Sequence, residues 1–429
     1  MVQYSNFDNA MENGDHFKKG KRQASIGIFG VTSIDCVNRL ERWKILIPFL
    51  SLMLLPMACT QRNSVRGYIE GLNDSIVLVT VFSLDNFGEE DPIQDTILSK
   101  NGQFKFSFPN DGAYGLEFCF PQFYARTPDG NRHRSGNTTI TLFTEPDDKI
   151  SFKGGINEAG LCNITVSGSR LNRDFSSIQN KMYEINKNEA EEEMAFDQAM
   201  TNNNREEYAI GFAKRQERRN ARRELYSNYI KENLDNPLSA LLLYNIGSLD
   251  SVGFYYDKLG ETARNSIFRY ILDPEMERYK EYVAVMKAQE EVIVGSNAPD
   301  FTLEDMDGKP FSLSSLRGKY VIIDFWGSWC APCISGIPKM KSAYEKHKAK
   351  LEILGVACNE SSVDIWRNTI KHHELPWINV YNDKLSAVNV KYGIESYPTK
   401  IVINPEGTIL ILERGEGDGF YAQLESIIN

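Results

Sequence analysis

Past residue 60 the pattern of apolar and polar positions changes twice along the chain, and each change predicts a different architecture. Ser75–Phe82 and Thr138–Phe143 are short runs rich in β-branched and aromatic residues, and within Gly102–Phe108 the side chains of Phe104, Phe106 and Phe108 alternate with polar neighbours. That period of two is the mark of a half-buried strand. Asp111-Gly112 and Pro128-Asp129-Gly130 punctuate the runs as turns. The expectation for residues 59–168 is an all-β, sandwich-like domain.

From Leu171 to Ala288 the texture shifts to long stretches rich in Glu, Lys, Arg and Ala, which predicts a helical middle domain over residues 169–290. Asn236-Pro237 reads as a helix start, Asn as cap and Pro in the first turn. Lys214, Arg215, Arg218, Arg219, Arg222 and Arg223 crowd one stretch of predicted helix, where Glu206, Glu207, Glu217 and Glu224 dilute their charge. A solvated face is the expectation for this run.

Residues 291–429 alternate between apolar strand runs and helical spacing, predicting an α/β sheet core. Lys319–Phe325 reads as a buried strand and leads through Gly327-Ser328-Trp329 into Cys330-Ala-Pro-Cys333. Beyond the second cysteine, Lys339–Lys348 carries Met340, Ala343 and Tyr344 at helical spacing. Further strands are expected at Leu351–Ala357, Trp377–Tyr381, Thr399–Ile403 and Ile409–Glu413, with helices at Val363–His372 and Phe420–Ile428. Strand, Cys-x-x-Cys, helix is thus the local order. A cysteine at the start of a helix faces unpaired backbone N–H groups and the positive end of the dipole, both of which stabilise the reactive thiolate.

Composition narrows the chemistry. The chain has 429 residues and a net charge of −10, which argues against general nucleic-acid binding. Its seven cysteines are too few to staple a scaffold of this size, and only Cys330 and Cys333 are closely spaced. No second Cys-x-x-Cys or suitably spaced His pair accompanies them, and His372 and His373 are adjacent, so neither a metal nor a cofactor is expected. Cys119, Cys162 and Cys358 are read as buried small hydrophobes.

The N-terminal part suggests a compartment. Arg39-Leu-Glu-Arg-Trp-Lys44 is a basic flank, followed by an apolar run that ends in Met57-Ala58-Cys59. This is the layout of a secretory signal, and the run is shorter than the roughly 20 residues needed to span a bilayer. Met-Ala-Cys resembles the lipobox of bacterial lipoproteins, which implies lipidation of Cys59 after removal of residues 1–58. A translation start near Leu40 would leave a normal short signal. The protein is therefore expected in the cell envelope, facing the periplasm and anchored to a membrane by lipid.

Asp324-Phe-Trp-Gly-Ser-Trp-Cys-Ala-Pro-Cys333 resembles the thioredoxin active-site segment, and Ser396-Tyr-Pro-Thr399 resembles that family's cis-proline loop. Gly295-Ser-Asn-Ala-Pro-Asp-Phe-Thr-Leu303, Asp307-Gly-Lys309 and Leu313-Ser-Ser-Leu-Arg-Gly-Lys319 are similar to the TlpA/ResA-like branch, membrane-tethered reductases outside the cytoplasm. The order of signal, β domain, helical domain and thioredoxin-like domain resembles lipoproteins of Bacteroidota.

The resemblance implies a thioredoxin fold and a Cys330–Cys333 redox disulfide, with Cys330 as the more exposed attacking thiol and Cys333 as the resolving one. It also implies a cis bond at Pro398, with Trp329 and Tyr397 beside the substrate. Its partners would be protein disulfides and an upstream thiol electron donor in the membrane. Many relatives carry a Glu three residues after the second cysteine. Gly336 stands there in this chain, so Asp324 is expected to accept the Cys333 proton, with its pKa raised by burial among Ile322, Ile323 and Phe325. Two other classes remain open. One is a peroxidase on the same fold, although the activating Thr and Arg it would need around a lone Cys are missing at Cys330. The other is a partner-binding lipoprotein with an accessory redox site.

Overall fold

The computed structural model describes residues 62–126, 132–134, 137–157, 160–383 and 387–428. Cys59 and the turn at Pro128–Gly130 lie outside them. The chain divides into two compact units, with the boundary between Glu277 and Arg278.

Among the described residues, the first unit opens with ten strands: β1 (Arg62–Glu70), β2 (Ile76–Ser83), β3 (Ile93–Leu98), β4 (Gln103–Pro109), β5 (Tyr114–Cys119), β6 (Tyr124–Arg126), β7 (Arg132–Arg134), β8 (Thr139–Thr144), β9 (Lys149–Asn157) and β10 (Gly160–Ser167). Eight of them form two four-stranded sheets, ordered β10-β9-β1-β4 and β3-β2-β5-β8. Inward-pointing residues of both sheets share one core, among them Val65, Val79, Phe104, Phe118, Ile140 and Phe152. The alternation at Phe104, Phe106 and Phe108 is therefore the inner face of β4. The expected runs are β2, β4 and β8; the other seven strands went unpredicted, because their mixed runs were not read as apolar or alternating segments.

Seven helices follow in chain order: α1 (Arg170–Asn186), α2 (Glu189–Thr201), α3 (Arg205–Glu232), α4 (Pro237–Ile246), α5 (Leu249–Tyr255), α6 (Glu261–Arg264) and α7 (Arg269–Glu291). Ser169 caps α1 through its side chain, and Asn236 caps α4 by accepting from the Leu238 N–H, with Pro237 in the first turn. The amide of buried Asn172 on α1 brackets Phe143 of β8, accepting from its N–H at 2.8 Å and donating to its carbonyl at 2.6 Å. Phe143 also meets the rings of Phe175 and Phe268. The helical part is thus packed onto the β-rich part, and the boundary between the two units falls inside α7.

Part of the basic run on α3 departs from the expected solvated face, while Lys214 keeps to it. Arg218 is buried and paired with Glu192 and Glu193, Arg215 donates to Glu193, and Lys214 lies 3.7 Å from Glu192. The acidic first turn of α2 covers this side of α3. Buried charge is tolerable only when paired, and here the partner is the preceding helix.

The second unit holds a seven-stranded sheet built from β11 (Thr302–Asp305), β12 (Pro310–Ser312), β13 (Tyr320–Trp326), β14 (Leu351–Ala357), β15 (Ile378–Tyr381), β16 (Thr399–Ile403) and β17 (Ile409–Arg414), in the order β12-β11-β15-β14-β13-β16-β17. Strands β13, β14 and β15 pair in parallel, and β16 runs antiparallel to β13. Helices α8 (Ala331–His347), α9 (Val363–His372), α10 (Val388–Lys391) and α11 (Asp418–Ile428) complete the unit. Val321, Ile323 and Phe325 point to one core, while Ile322 points to another shared with Ile337 and Met340 of α8 and Phe420 and Leu424 of α11. By the same alternation Asp324 lies on the α8/α11 face. Among the described residues, no helix is long and apolar enough to cross a membrane.

Candidate active site

Strand β13 ends at Trp326, and the chain turns through Gly327 and Ser328 to place Cys330 as the N-cap of α8. The Cys330 Sγ accepts from the Cys333 N–H at 3.3 Å, and the two cysteines are joined as a disulfide. When the pair is reduced, the same N–H and the helix dipole favour the Cys330 thiolate over the thiol. Both cysteines are buried in the disulfide, Cys330 at 4% exposure and Cys333 at 8%, so Cys330 is not the more exposed of the two. Position at the helix start, rather than exposure, distinguishes it. The neighbouring Trp329, 43% exposed, is the large side chain that the site presents to solvent.

The Tyr397–Pro398 bond is cis, and the Tyr397 ring meets that of Trp329 at 5.4 Å between centroids. The indole N–H of Trp329 donates to the Cys358 carbonyl at 3.0 Å, and the Asn359 amide donates to the Tyr397 hydroxyl at 3.3 Å. Burial pushes the Cys358 thiol up to about 12, while hydrogen bonds from Asn382 and Tyr397 pull the other way. Cys358 is thus an inert packing residue, as is buried Cys119, whereas Cys162 is only half-buried.

Asp324 is half-buried as a residue, but its Oδ1 is sealed from solvent and has no hydrogen-bond partner. Desolvation raises its pKa from 3.8 to about 6, against the pull of Lys400 and with help from Glu416. Lys400 is its cross-strand neighbour on β16, and the buried Lys400 ammonium binds Glu416 Oε2 at 2.6 Å. Neither Lys400 nor Glu416 was anticipated from the sequence. A lone lysine inside the apolar run Thr399-Lys-Ile-Val-Ile403 was the one available signal, while Glu416 sits in a Gly-rich turn that reads as loop. Glu360 was also missed. Its carboxylate accepts from both the backbone N–H and the hydroxyl of Ser328, and burial raises its pKa. It pins the segment leading into Trp329 and Cys330. Among the described residues no cluster of His, Cys, Asp and Glu is arranged to hold a metal ion.

A dithiol at a helix N-terminus, reached from a parallel strand and faced by a cis-proline loop, defines a thioredoxin-like thiol–disulfide oxidoreductase. A family model described as the AhpC/TSA family matches residues 294–411. The thiol-disulfide oxidoreductase ResA of Bacillus subtilis is 36% identical over 138 residues, covering 32% of this chain and 76% of that protein. ResA of Halalkalibacterium halodurans is 34% identical over 122 residues, covering 28% of this chain and 68% of that protein. Among solved structures, the thioredoxin domain of a thiol-disulfide oxidoreductase from Bacteroides vulgatus is 31% identical, covering 32% of this chain and 99% of that chain with a TM-score of 0.30. Through its C-terminal unit, the chain belongs to the ResA family of thiol-disulfide oxidoreductases.

Proposed function

We propose that the protein is an extracytoplasmic, lipid-anchored disulfide reductase that acts on protein disulfides. The observation that carries the reading is the Cys330–Cys333 disulfide at the start of α8, beside Tyr397 and cis Pro398. In the reduced protein the Cys330 thiolate attacks one sulfur of a substrate disulfide. A mixed disulfide forms and the other substrate sulfur leaves as a thiolate. Cys333 then gives its proton to Asp324 and attacks Cys330 Sγ, which releases the second substrate thiolate and closes the enzyme disulfide. Pro398 holds the Tyr397 backbone for pairing with an extended substrate segment, and Trp329 offers an exposed ring beside it. An upstream thiol donor in the membrane would restore the dithiol. The proposed organisation of the chain is a sandwich-like β-rich domain at 59–168, a helical domain at 169–290 and the redox domain at 291–429.

The direction of electron flow sets the first test. Ala331-Pro332 puts no His between the cysteines to stabilise a thiolate, so the reduction potential of the pair should lie on the order of −270 mV rather than −120 mV. Equilibration with a glutathione redox series, read by alkylation, measures it, and an oxidising value would reverse the reading. Anchoring is tested separately: Cys59→Ser should abolish acyl labelling and leave dithiol exchange unchanged. A wild-type protein without acyl label would remove the anchor from the proposal.

A further inference from the structure

A partly buried line of charge runs beneath α8. Cys333 and Gly336 stand three residues apart and therefore share one face of that helix. Gly336 is buried, and a Cβ built on it would come within 3.0 Å of both carboxylate oxygens and Cδ of Glu416. The glycine leaves the space that this carboxylate fills. Glu416 is held there from two sides, by the Lys400 ammonium at 2.6 Å and by the Tyr421 hydroxyl at 2.9 Å. Its turn is also tied to the substrate loop, since the Gly415 N–H donates to the Pro398 carbonyl at 2.7 Å. Lys400 in turn stands opposite Asp324 across the β13–β16 ladder, on the sheet face that α8 and α11 cover. Glu416, Lys400 and Asp324 come from three separate places in the chain and converge beneath the helix face that carries Cys333.

We infer that Glu416 and Lys400 are positioning residues for the resolving step: Glu416, seated in the space left by Gly336, engages the Lys400 ammonium and so leaves Asp324 free to take the Cys333 proton. Lys400 is the cation whose charge reaches Asp324, and an ammonium fully committed to Asp324 would hold that carboxylate ionised and make it a poor proton acceptor. Pairing with Glu416 draws the ammonium away, and the Glu416 charge adds its own repulsion toward ionised Asp324. The other titratable groups around Asp324 are Tyr421 on α11 and Cys358 after β14, both with proton affinities raised by burial, so neither supplies a competing charge near neutral pH. The inference rests on the reading of Asp324 as the base, and the test separates the two.

The reduced full chain is mixed with 5,5′-dithiobis(nitrobenzoate), whose two thiolates leave in turn, the first on attack by Cys330 and the second on resolution by Cys333. The second phase is followed against pH. Glu416→Gln should move its midpoint down by about one pH unit, because Lys400 is freed toward Asp324, and Lys400→Gln should move it up by about as much. A merely structural role would slow the step or loosen the fold without moving the midpoint in opposite directions. Carboxyl 13C titration of Asp324 in the oxidised protein reads the Glu416→Gln shift without catalysis and serves if Lys400→Gln does not fold. Asp324→Asn is the arbiter. If it removes the midpoint while Glu416→Gln leaves the midpoint in place, the inference fails and the base assignment stands. If Asp324→Asn leaves the midpoint unchanged, the base assignment fails and the inference with it.

Discussion

Cys330→Ser should abolish disulfide exchange, lowering the rate on the order of a thousandfold or more, because a hydroxyl cannot replace the thiolate as nucleophile. Cys333→Ser should have a different outcome. It leaves Cys330 able to attack, still as the N-cap of α8, but removes the thiol that would release the product, so a mixed disulfide with substrate accumulates. The asymmetry follows from the helix start: the N–H groups of the first turn point toward Cys330, while Cys333 lies within the first turn itself. Non-reducing gels of each variant after incubation with disulfide-bonded proteins make the comparison. Equal trapping by both variants would overturn the order of attack.

Asp324→Asn should stabilise the C-terminal unit by up to about 3 kcal/mol at pH 7.5 and have no such effect near pH 4. Its carboxyl titrates at about 6 when folded against 3.8 when freely solvated, so between these values the folded protein binds more protons than the unfolded chain. Stability therefore falls as pH rises through that window, by about 1.4 kcal/mol per pH unit, and above pH 6 the full cost is present. Asparagine keeps the shape and drops the charge. Four of the five tryptophans, Trp326, Trp329, Trp366 and Trp377, lie in the C-terminal unit, so their fluorescence during urea unfolding reports on it. Equal unfolding midpoints for wild type and variant at pH 7.5 would show that the carboxylate is not desolvated. A residue kept at such a cost to stability, in the strand that leads to the redox pair, fits the proposed task in proton transfer.

Much of this site was legible because its signals are local. Strand, turn, Cys-x-x-Cys and helix follow one another within residues 320–347, and Asp324 announces itself as a charge inside an apolar strand. The same holds for the Asn236-Pro237 helix start, where cap and first turn are adjacent in the chain. The exposure of Cys330 was misjudged for the opposite reason. It depends on how Cys330 packs with Trp326, Trp366 and the distant Tyr397, and no spacing near the cysteines encodes that.

The sequence by itself determined the dithiol, its place at a helix start, the acid in the preceding strand, and the passage from β-rich to helical to α/β texture. These depend on neighbours within a few residues, where periodicity and capping act. Only the tertiary structure decided that Lys214, Arg215 and Arg218 of α3 pair with Glu192 and Glu193 of α2, and that Gly336, Lys400 and Glu416 meet beneath α8. Gly336 and Glu416 are far apart in sequence, and their meeting is set by strand register and helix packing. A glycine in a helix and a glutamate in a glycine-rich turn each look unremarkable alone, since the space left by one and the carboxylate filling it become a single feature only when the sheet brings them together.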